Sequence, residues 1–319
     1  MTPPSWWILL AAIAVDAVVG DPRWLPHPVV LMGRVATRLE AWLRRSQLPL
    51  KAAGVVLALA LSVGSWAAAR WLIRLASLAH PWLGVALAVW LFSTTLAARS
   101  LAEHALAVWR SLRAGDLEEA RRRLGWIVGR DTETLDEVEI SRAAVESVAE
   151  STCDGVIAPL FWGLIGGVPL AMAYRAANTL DSMVGHRDER YLEFGWASAR
   201  LDDLLNLIPA RLSALLLAAA ALSRRSLRTA LRDARLHSSP NSGWPEAAMA
   251  GALGVRLGGL NHYGGVAEER ARLGDPLRPL EPRDIVRSVR IMYLSTAAAA
   301  GLGTLALWGV ATCASYFRF

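Results

Sequence analysis

The chain has 319 residues, of which 54% are hydrophobic, with a mean hydropathy of +0.32 and a formal net charge of +6. This apolar content, together with 14 Trp, exceeds what a soluble globule usually carries, so part of the chain is expected to lie in a lipid bilayer. The basic residues are interleaved with acidic ones and flank apolar stretches, which argues against a nucleic-acid partner.

Four apolar segments are predicted to be membrane-embedded helices, and because no alternating strand pattern is found, the predicted fold is mainly α. They cover residues 6–19, 52–69, 82–98 and 291–311. Residues 155–174 and 204–222 are also apolar but are interrupted by Pro, Gly or polar residues, so each could span the bilayer or form a buried or re-entrant helix. The prediction is a polytopic membrane protein with four to six embedded helices, forming a single domain over residues 1–319.

Charge in the connecting segments predicts the orientation. Residues 20–51, 99–154 and 223–290 are the richest in basic side chains. An N-terminus outside the cell places all three in the cytoplasm, provided that the two ambiguous segments both span or both do not. We expect a multi-pass protein of the inner (cytoplasmic) membrane with its active face in the cytoplasm. We favour residues 99–290 as one cytoplasmic-facing helical region docked on the membrane.

A proline-rich stretch follows the first apolar segment. Residues 22–28 contain three prolines, which predict a rigid, extended loop. This loop would hold Asp21, Arg23 and His27 in fixed positions at the membrane interface. The alternative is an interfacial turn anchored by Trp24.

Residues 131–153 are predicted to form one helix, with a capping box at Thr134 and Glu137. Three carboxylates recur every fourth residue and share one helical face: Glu146, Glu150 and Asp154. Oxygen ligands of this kind suit Mg²⁺, which commonly bridges one or two carboxylates to substrate phosphates. The alternative is a solvated face paired with Arg142.

A second acidic site is predicted where Asp202, Asp203 and Asn206 open an apolar helix. Paired carboxylates at a membrane boundary need a metal ion or the nearby Arg200 as a partner, and the alternative is a polar helix start favoured by the helix dipole. Residues 178–186 precede this site and show no amphipathic pattern, so they are interpreted as a loop.

The stretch 237–246 is predicted to precede and begin a helix, with Pro245 at its first position. Asn, Ser and Gly before it would leave free backbone N–H groups for an anion such as phosphate, assisted by Arg235 or His237. An ordinary capped helix is the alternative. Phosphate-loop and dinucleotide-binding patterns are absent from the sequence, and the two cysteines fit no zinc spacing.

Five of these stretches, taken in order, resemble the CbiB/CobD family of cobalamin biosynthesis. They begin at Gly20, Glu146, Asn178, Arg200 and Ser239 and read GDPRWLPHPV, ESVAESTCDGVIAPLFW, NTLDSMVG, RLDDLLNLIPARL and SPNSGWPEAAMAG. The resemblance covers nearly the whole chain. One position departs from it, because His186 stands where a Tyr is expected.

The resemblance implies an adenosylcobinamide-phosphate synthase, an amide ligase that joins adenosylcobyric acid to aminopropanol phosphate with ATP and Mg²⁺. Catalytic candidates are His27, His237 and Asp181. The magnesium ligands would be Glu146, Glu150, Asp154, Asp202 and Asp203. Substrate and phosphate would be bound by Asp21, Arg23, Asn178, Arg235, Asn241, Ser242, Gly243, Trp244 and Glu246. The implied partners are the corrinoid substrate, aminopropanol phosphate and the lipid bilayer, and homo-oligomerisation is left open.

Two other classes stay open. A membrane alcohol phosphotransferase would share the beginning Asp154-Gly155-x-x-Ala158, but its pattern continues with Arg where this chain has Pro159. A noncatalytic membrane signalling protein, like the AmpE proteins that distantly resemble this family, would need neither the candidate phosphate-binding stretch 237–246 nor the two acidic clusters.

Overall fold

The computed structural model describes residues 6–20, 27–186 and 188–316, and most of these residues lie in helices. The first half contains α1 (Trp6–Val18), α2 (Pro28–Leu43), α3 (Leu50–Ala79), α4 (Pro81–Ser93), α5 (Ala98–Arg113), α6 (Leu117–Leu124) and α7 (Glu137–Thr152). A π-helical turn, Cys153–Ile157, joins α7 to α8 (Ala158–Val184). The remainder contains α9 (Trp196–Leu205), α10 (Leu207–Ala220), α11 (Arg224–Asp233), a 3-10 turn (Ala234–Leu236), α12 (Gly243–Leu253), β1 (Leu257–Tyr263), β2 (Val266–Leu273) and α13 (Arg283–Tyr316).

The mainly α, polytopic membrane fold predicted from the sequence is confirmed. In the described part of the chain, four helical stretches are long and apolar enough to cross a membrane: Leu50–Ala79, Pro81–Arg113, Glu137–Val184 and Arg283–Gly309. The pair α9 and α10 qualifies as a fifth if it forms one span, and α1 is a shorter apolar helix. Residues 155–174, which the sequence left ambiguous, belong to the third stretch.

The chain divides into two compact units. The first consists of residues 1–97, 158–206 and 300–319, and the second consists of residues 98–157 and 207–299. In the first unit α3 packs against α2, α4, α8 and α9, and in the second α12 packs against α7, α10 and α11. The polar region 99–290 therefore contributes to both units.

In the first unit, residues 178–184 form the last turns of α8, so their interpretation as a loop was wrong. Their polar side chains bond to the helix itself, since Thr179 Oγ1 donates to the Arg175 carbonyl and Ser182 Oγ to the Asn178 carbonyl. Such back-bonding lets polar residues occupy a helix without an amphipathic pattern. Nearer its start, α8 is broken at Gly167, whose φ of +69° suits glycine.

In the second unit, α7 begins at Glu137 rather than at residue 131, and the predicted capping box is absent. Asp136 is the N-cap, and its side chain accepts a hydrogen bond from the Glu139 amide at 2.8 Å. A carboxylate at the N-cap satisfies an open N–H group and favours the positive end of the helix dipole. At the other end, the π-helical turn at Cys153–Ile157 places Asp154 outside the regular α-helical register.

The antiparallel hairpin of β1 and β2 was missed by the sequence analysis, which expected no strand. Its turn is Gly264–Gly265, where both φ angles are positive, at +56° and +80°. Both glycine amides donate to the Asp131 carboxylate, at 3.0 and 2.7 Å. Two glycines between short extended segments are a known hairpin signal, although the charged sequence of β2 obscured it here.

Candidate functional site

The loop before α12 is held together by its own polar groups. The Ser239 hydroxyl accepts hydrogen bonds from the amides of Asn241 and Ser242, each at 3.2 Å. The Ser239 amide donates to Nδ1 of His237 at 3.0 Å, and the Trp244 amide donates to the Asn241 carbonyl. The amides of Asn241 and Ser242, which the sequence predicted to be free for an anion, are therefore used within the loop.

His237 and Glu246 form a close, buried pair beneath this loop. Nε2 of His237 lies 3.6 Å from Oε1 of Glu246, and the two side chains are only 6% and 5% exposed. Since Nδ1 accepts a hydrogen bond, the proton of the neutral ring lies on Nε2, which faces the glutamate. Within the described residues this Nε2 atom has no partner at hydrogen-bond distance.

Burial shifts the pKa values of both groups towards their neutral forms. Desolvation is the main cause that raises the pKa of Glu246 well above 4.5, and the nearby carboxylates of Glu150 and Glu146 add to it. Desolvation also lowers the pKa of His237 below 6.5, against the attraction of Glu150. A neutral imidazole beside a carboxylic acid is the favoured state, rather than an ion pair.

Glu150 connects the acidic helix α7 with the loop. The Ser242 hydroxyl donates to its Oε1 at 3.0 Å, and Ser242 also lies 3.3 Å from the Ser239 hydroxyl. Two sites that the sequence suggested separately thus meet in the second unit. Of the carboxylates on α7, Glu150 contacts the predicted binding loop directly.

Glu146, one turn earlier, is committed to arginines. Its Oε2 accepts from Arg130 at 2.5 Å, and its Oε1 accepts from Arg142 at 3.2 Å and from the Gly258 amide at 2.7 Å. The predicted alternative of a pairing with Arg142 is therefore realised, but in a buried network, because Glu146 is only 5% exposed. With both oxygens occupied by donors, Glu146 does not fit as a metal ligand.

Two members of this network, Arg130 and Asn261, were not identified from the sequence. Arg130 and Arg142 both donate to the side-chain oxygen of Asn261, at 2.8 and 3.0 Å, and Asn261 is buried in β1. Arg142 also donates to the carbonyls of Gly258 and Leu260. The network fastens the hairpin to α7, and no local pattern in the sequence pairs these residues.

Arg211 supports the other side of the loop. It donates to the Asn241 side-chain oxygen at 2.9 Å and lies over the Trp244 ring, 4.9 Å from its centroid. Asn241 is buried, whereas Arg235, a predicted phosphate ligand, is exposed on the preceding 3-10 turn. Arg211 and Arg235 are near enough to repel each other electrostatically, so this part of the second unit has a local excess of positive charge.

The first unit contains a separate polar cluster around Asp202, which is buried. Its carboxylate accepts hydrogen bonds from the side-chain amides of Asn178 at 3.2 Å and Asn206 at 3.0 Å. The Tyr174 hydroxyl in turn donates to Asn206 at 2.9 Å. Asp181 lies within electrostatic range of Asp202. Four residues from two of the stretches that resemble the family, Asn178, Asp181, Asp202 and Asn206, therefore lie together here.

The other predicted residues of the first unit lie elsewhere. Asp203 is more exposed than Asp202 and pairs with Arg200 at 3.4 Å. His27 is the N-cap of α2, where its Nδ1 accepts from the Val29 amide at 3.3 Å. Asp21 and Arg23 lie outside the described residues.

No group of three or more His, Cys, Asp or Glu side chains suited to a metal ion occurs in the described part of the chain. Magnesium often takes only one or two protein carboxylates and keeps several waters, so such a site need not contain three protein ligands. Glu150 and the Asp202 cluster offer carboxylate oxygens of this kind.

Together these features define a polytopic helical membrane protein with a buried histidine–glutamate cluster in one unit and an aspartate–asparagine cluster in the other. The CobD/Cbib protein family matches residues 9–292. The chain belongs to this family and has a role in cobalamin biosynthesis.

Individual relatives agree over nearly the full length. The chain is 56% identical over 292 residues to the cobalamin biosynthesis protein CobD of Geobacter metallireducens, covering 90% of this chain and 92% of that protein. It is 49% identical over 313 residues to CobD of Klebsiella pneumoniae, covering 95% and 96%. It is 47% identical over 310 residues to the cobalamin biosynthesis protein CbiB of Salmonella typhimurium, covering 95% and 96%. No solved structure matches the chain.

Proposed function

We propose that this protein is an adenosylcobinamide-phosphate synthase, which joins a propionate side chain of adenosylcobyric acid to the amine of aminopropanol phosphate. The observation that carries the proposal is the hydrogen bond between Ser242 and Glu150. It brings the acidic helix and the polar loop, two of the stretches that resemble the family, into one cluster of the second unit. Family membership supplies the pathway, and the cluster supplies the acid–base groups that such a reaction needs.

Amide formation requires the carboxylate to gain a better leaving group than oxide and the amine to lose a proton. ATP supplies the first requirement by phosphorylating the propionate, and inorganic phosphate then leaves as the C–N bond forms. The second requires a base whose pKa lies near the working pH. Burial raises the pKa of Glu246 above that of an ordinary carboxylate, so we assign Glu246, in its ionised form, as the group that receives the proton. His237 is better suited to donate from Nε2 than to accept, since its Nδ1 is already engaged.

The phosphate of aminopropanol phosphate would be held by side-chain cations. The amides of Asn241 and Ser242 are used within the loop, so the cations are Arg211, which contacts Asn241 and Trp244, and Arg235, which lies within electrostatic range of Arg211. A guanidinium offers a planar fork of donors that matches two phosphate oxygens. Asn241 and the Trp244 ring fix the position of Arg211 and thereby prepare it for the phosphate.

Magnesium would accompany ATP and neutralise phosphate charge. The carboxylate of Glu150 is our first choice of protein ligand, with Asp154, Asp202 and Asp203 as further candidates. Asp181, Asn178 and His27 are candidates for the same reaction in the first unit. Because ATP is a cytoplasmic co-substrate, we place the reaction on the cytoplasmic face of the inner membrane.

The test is to incubate the purified full-length protein in detergent with adenosylcobyric acid, aminopropanol phosphate, Mg²⁺ and ATP. Mass spectrometry should detect the condensed product, whose mass is the sum of the two substrates less one water, and ADP should form with it. Product should disappear when ATP is omitted and in Glu150→Gln, but not in the matched control Glu193→Gln, whose side chain is exposed. A folded protein that yields no product from these substrates would favour a noncatalytic role.

A further inference from the structure

A groove with a volume of about 410 Å³ lies in the second unit where α13 begins. Its basic lining consists of Arg278, Arg287 and Arg290. Its apolar lining includes Leu253, Ile291 and Leu294. None of these residues belongs to the cluster around His237 and Glu246, so the groove is a separate feature of the unit.

The groove has more positive than negative charge. Asp284 is fully buried and accepts hydrogen bonds from Arg278, at 2.8 and 2.5 Å, and from Arg287, at 2.7 Å. The only other carboxylate within salt-bridge distance of Arg287 in the described chain is that of Glu281, at 3.8 Å. The two carboxylates thus balance the charges of Arg278 and Arg287, whereas no carboxylate of the described residues pairs with Arg290.

Arg290 is the arginine best placed to meet a ligand. Its side chain is exposed, and the described residues offer it no hydrogen bond or ion pair. Arg278, by contrast, is fully engaged, because it also donates to the carbonyls of Leu253 and Pro279. An exposed guanidinium at the edge of a concave surface can bind an anion without breaking an existing contact.

The lining changes from charged to apolar along one helical face. Arg287, Arg290, Ile291 and Leu294 follow the spacing i, i+3, i+4 and i+7, so they lie on the same side of α13. The arginines occupy the first turns of the candidate span Arg283–Gly309, and the apolar pair comes next. Leu294 is 45% exposed, which is expected of a side chain that faces lipid.

We propose that this groove binds the phosphate of an anionic phospholipid, with Arg290 as the main contact and an acyl chain along Ile291 and Leu294. The order of chemistry along the helix, charge first and then apolar surface, matches the order of headgroup and chain in a phospholipid. The position at the start of a membrane-spanning helix is the depth at which headgroups lie, and basic pockets between such helices bind anionic headgroups. This site is independent of the proposed synthase reaction.

The test compares phosphatidylglycerol with phosphatidylcholine of identical acyl chains, added to the purified full-length protein in detergent. Native mass spectrometry and thermal shift should show tighter binding and a larger rise in Tm with phosphatidylglycerol. Arg290→Gln should weaken phosphatidylglycerol binding roughly fivefold, the factor that corresponds to about 1 kcal/mol per basic residue. Arg290→Lys, which keeps the charge, should retain most of the affinity.

The matched control is Arg283→Gln, because Arg283 is exposed at the beginning of the same helix but lines a different depression. It should bind phosphatidylglycerol like the unsubstituted protein. Equal affinity for the two lipids, or equal losses in Arg290→Gln and Arg283→Gln, would overturn the proposal. So would glycerol phosphate binding as tightly as phosphatidylglycerol, since the apolar part of the groove would then have no role.

Discussion

His237 and Glu246 lie 3.6 Å apart, from Nε2 to Oε1, in a setting where neither is favoured to be charged. An ion pair would require a protonated imidazole, and burial lowers the pKa of His237. It would also require an ionised Glu246 close to the carboxylates of Glu150 and Glu146, both of which raise its pKa. Burial and these carboxylates therefore favour a protonated Glu246 in the folded second unit.

Glu246→Gln should remove a pH dependence of stability. The pKa of Glu246 is raised in the folded protein, so the folded state holds the proton more tightly than the unfolded state. The free energy of unfolding therefore falls as pH rises from about 4.5 through the folded pKa, by up to about 1.4 kcal/mol per pH unit. We expect the Tm of Glu246→Gln in detergent to rise relative to that of the unsubstituted protein as pH increases across this window.

The difference in Tm between Glu246→Gln and the unsubstituted protein at each pH reports on Glu246, because His237 is present in both proteins. The lowered pKa of His237 acts in the opposite sense, because it adds stability as pH rises towards 6.5. The control Glu193→Gln carries the same substitution at an exposed site and should give a curve parallel to the unsubstituted one. Parallel curves for Glu246→Gln as well would contradict a raised pKa at that residue.

Glu146→Gln and Glu150→Gln should have opposite consequences, although the two residues are one helical turn apart. Loss of the Glu146 charge leaves Arg130 and Arg142 without their buried partner, so the folded protein should lose about 3–5 kcal/mol. Glu150→Gln should keep its Tm and lose synthase activity, with partial rescue at high Mg²⁺ if Glu150 holds the metal ion. Urea or thermal unfolding, alongside product formation, measures both.

An active Glu150→Gln variant would remove Glu150 from the proposed mechanism. A stable Glu146→Gln variant would mean that the two arginines find other acceptors. Asp154→Asn, at the third of the carboxylates that the sequence predicted to share one helical face, should also lose activity with little change in Tm.

The helices were largely predictable because hydropathy and length specify them directly. The predicted segment 6–19 matches α1, whereas 52–69 covers only about the first two thirds of α3, which runs from Leu50 to Ala79. Hydropathy falls at Arg70 and Arg74, but these guanidinium groups stack on Trp66 and Trp71, so the helix continues. A charge ended the predicted segment without ending the helix.

The candidate site was predictable only in part, because its contacts join residues that are distant in the sequence. Helical spacing placed Glu146 and Glu150 on one face of α7, but it could not indicate that Arg130 and the Gly258 amide would join Arg142 in occupying the first of them. The hairpin that carries Asn261 was itself missed. Local patterns identify chemically active residue types, and the fold decides which of them are neutralised.

Asn241→Ala should weaken the binding of aminopropanol phosphate more than that of aminopropanol. Asn241 fixes Arg211 through a 2.9 Å hydrogen bond, so its loss should disorder the cation proposed to hold the phosphate. KM for the two amines in the synthase assay measures the effect, and Trp244→Leu should act in the same direction by removing the ring under Arg211. Equal losses for both amines would make the loop structural rather than phosphate-binding.

The segment 175–203 is expected to face the cytoplasm, since it carries polar residues that the synthase proposal assigns to cytoplasmic substrates. Glu189→Cys, in a chain whose native cysteines are replaced by Ala, should react with an impermeant thiol reagent only after the cells are opened. Glu189 is exposed, so failure to label would not result from burial. Labelling in intact cells would overturn the cytoplasmic placement.

The adjacent residues Asp202 and Asp203 provide a test of metal binding against structure. Asp202 is buried and accepts from two side-chain amides, whereas Asp203 is partly exposed and contacts Arg200 at 3.4 Å. If Asp202 is structural, Asp202→Ala should cost about 1–3 kcal/mol for each donor left unsatisfied.

Asp203→Ala should then cost less than about 1 kcal/mol, as expected of a surface pair. If both residues bind Mg²⁺, the two variants should instead lose activity together and respond together to added Mg²⁺. Tm in detergent and activity against Mg²⁺ concentration separate these outcomes. We expect the structural outcome for Asp202, because both of its carboxylate oxygens already accept hydrogen bonds. Asn178 donates to Oδ1 and Asn206 donates to Oδ2. A metal-dependent loss confined to Asp203→Ala would leave Asp202 as the support that positions its neighbour.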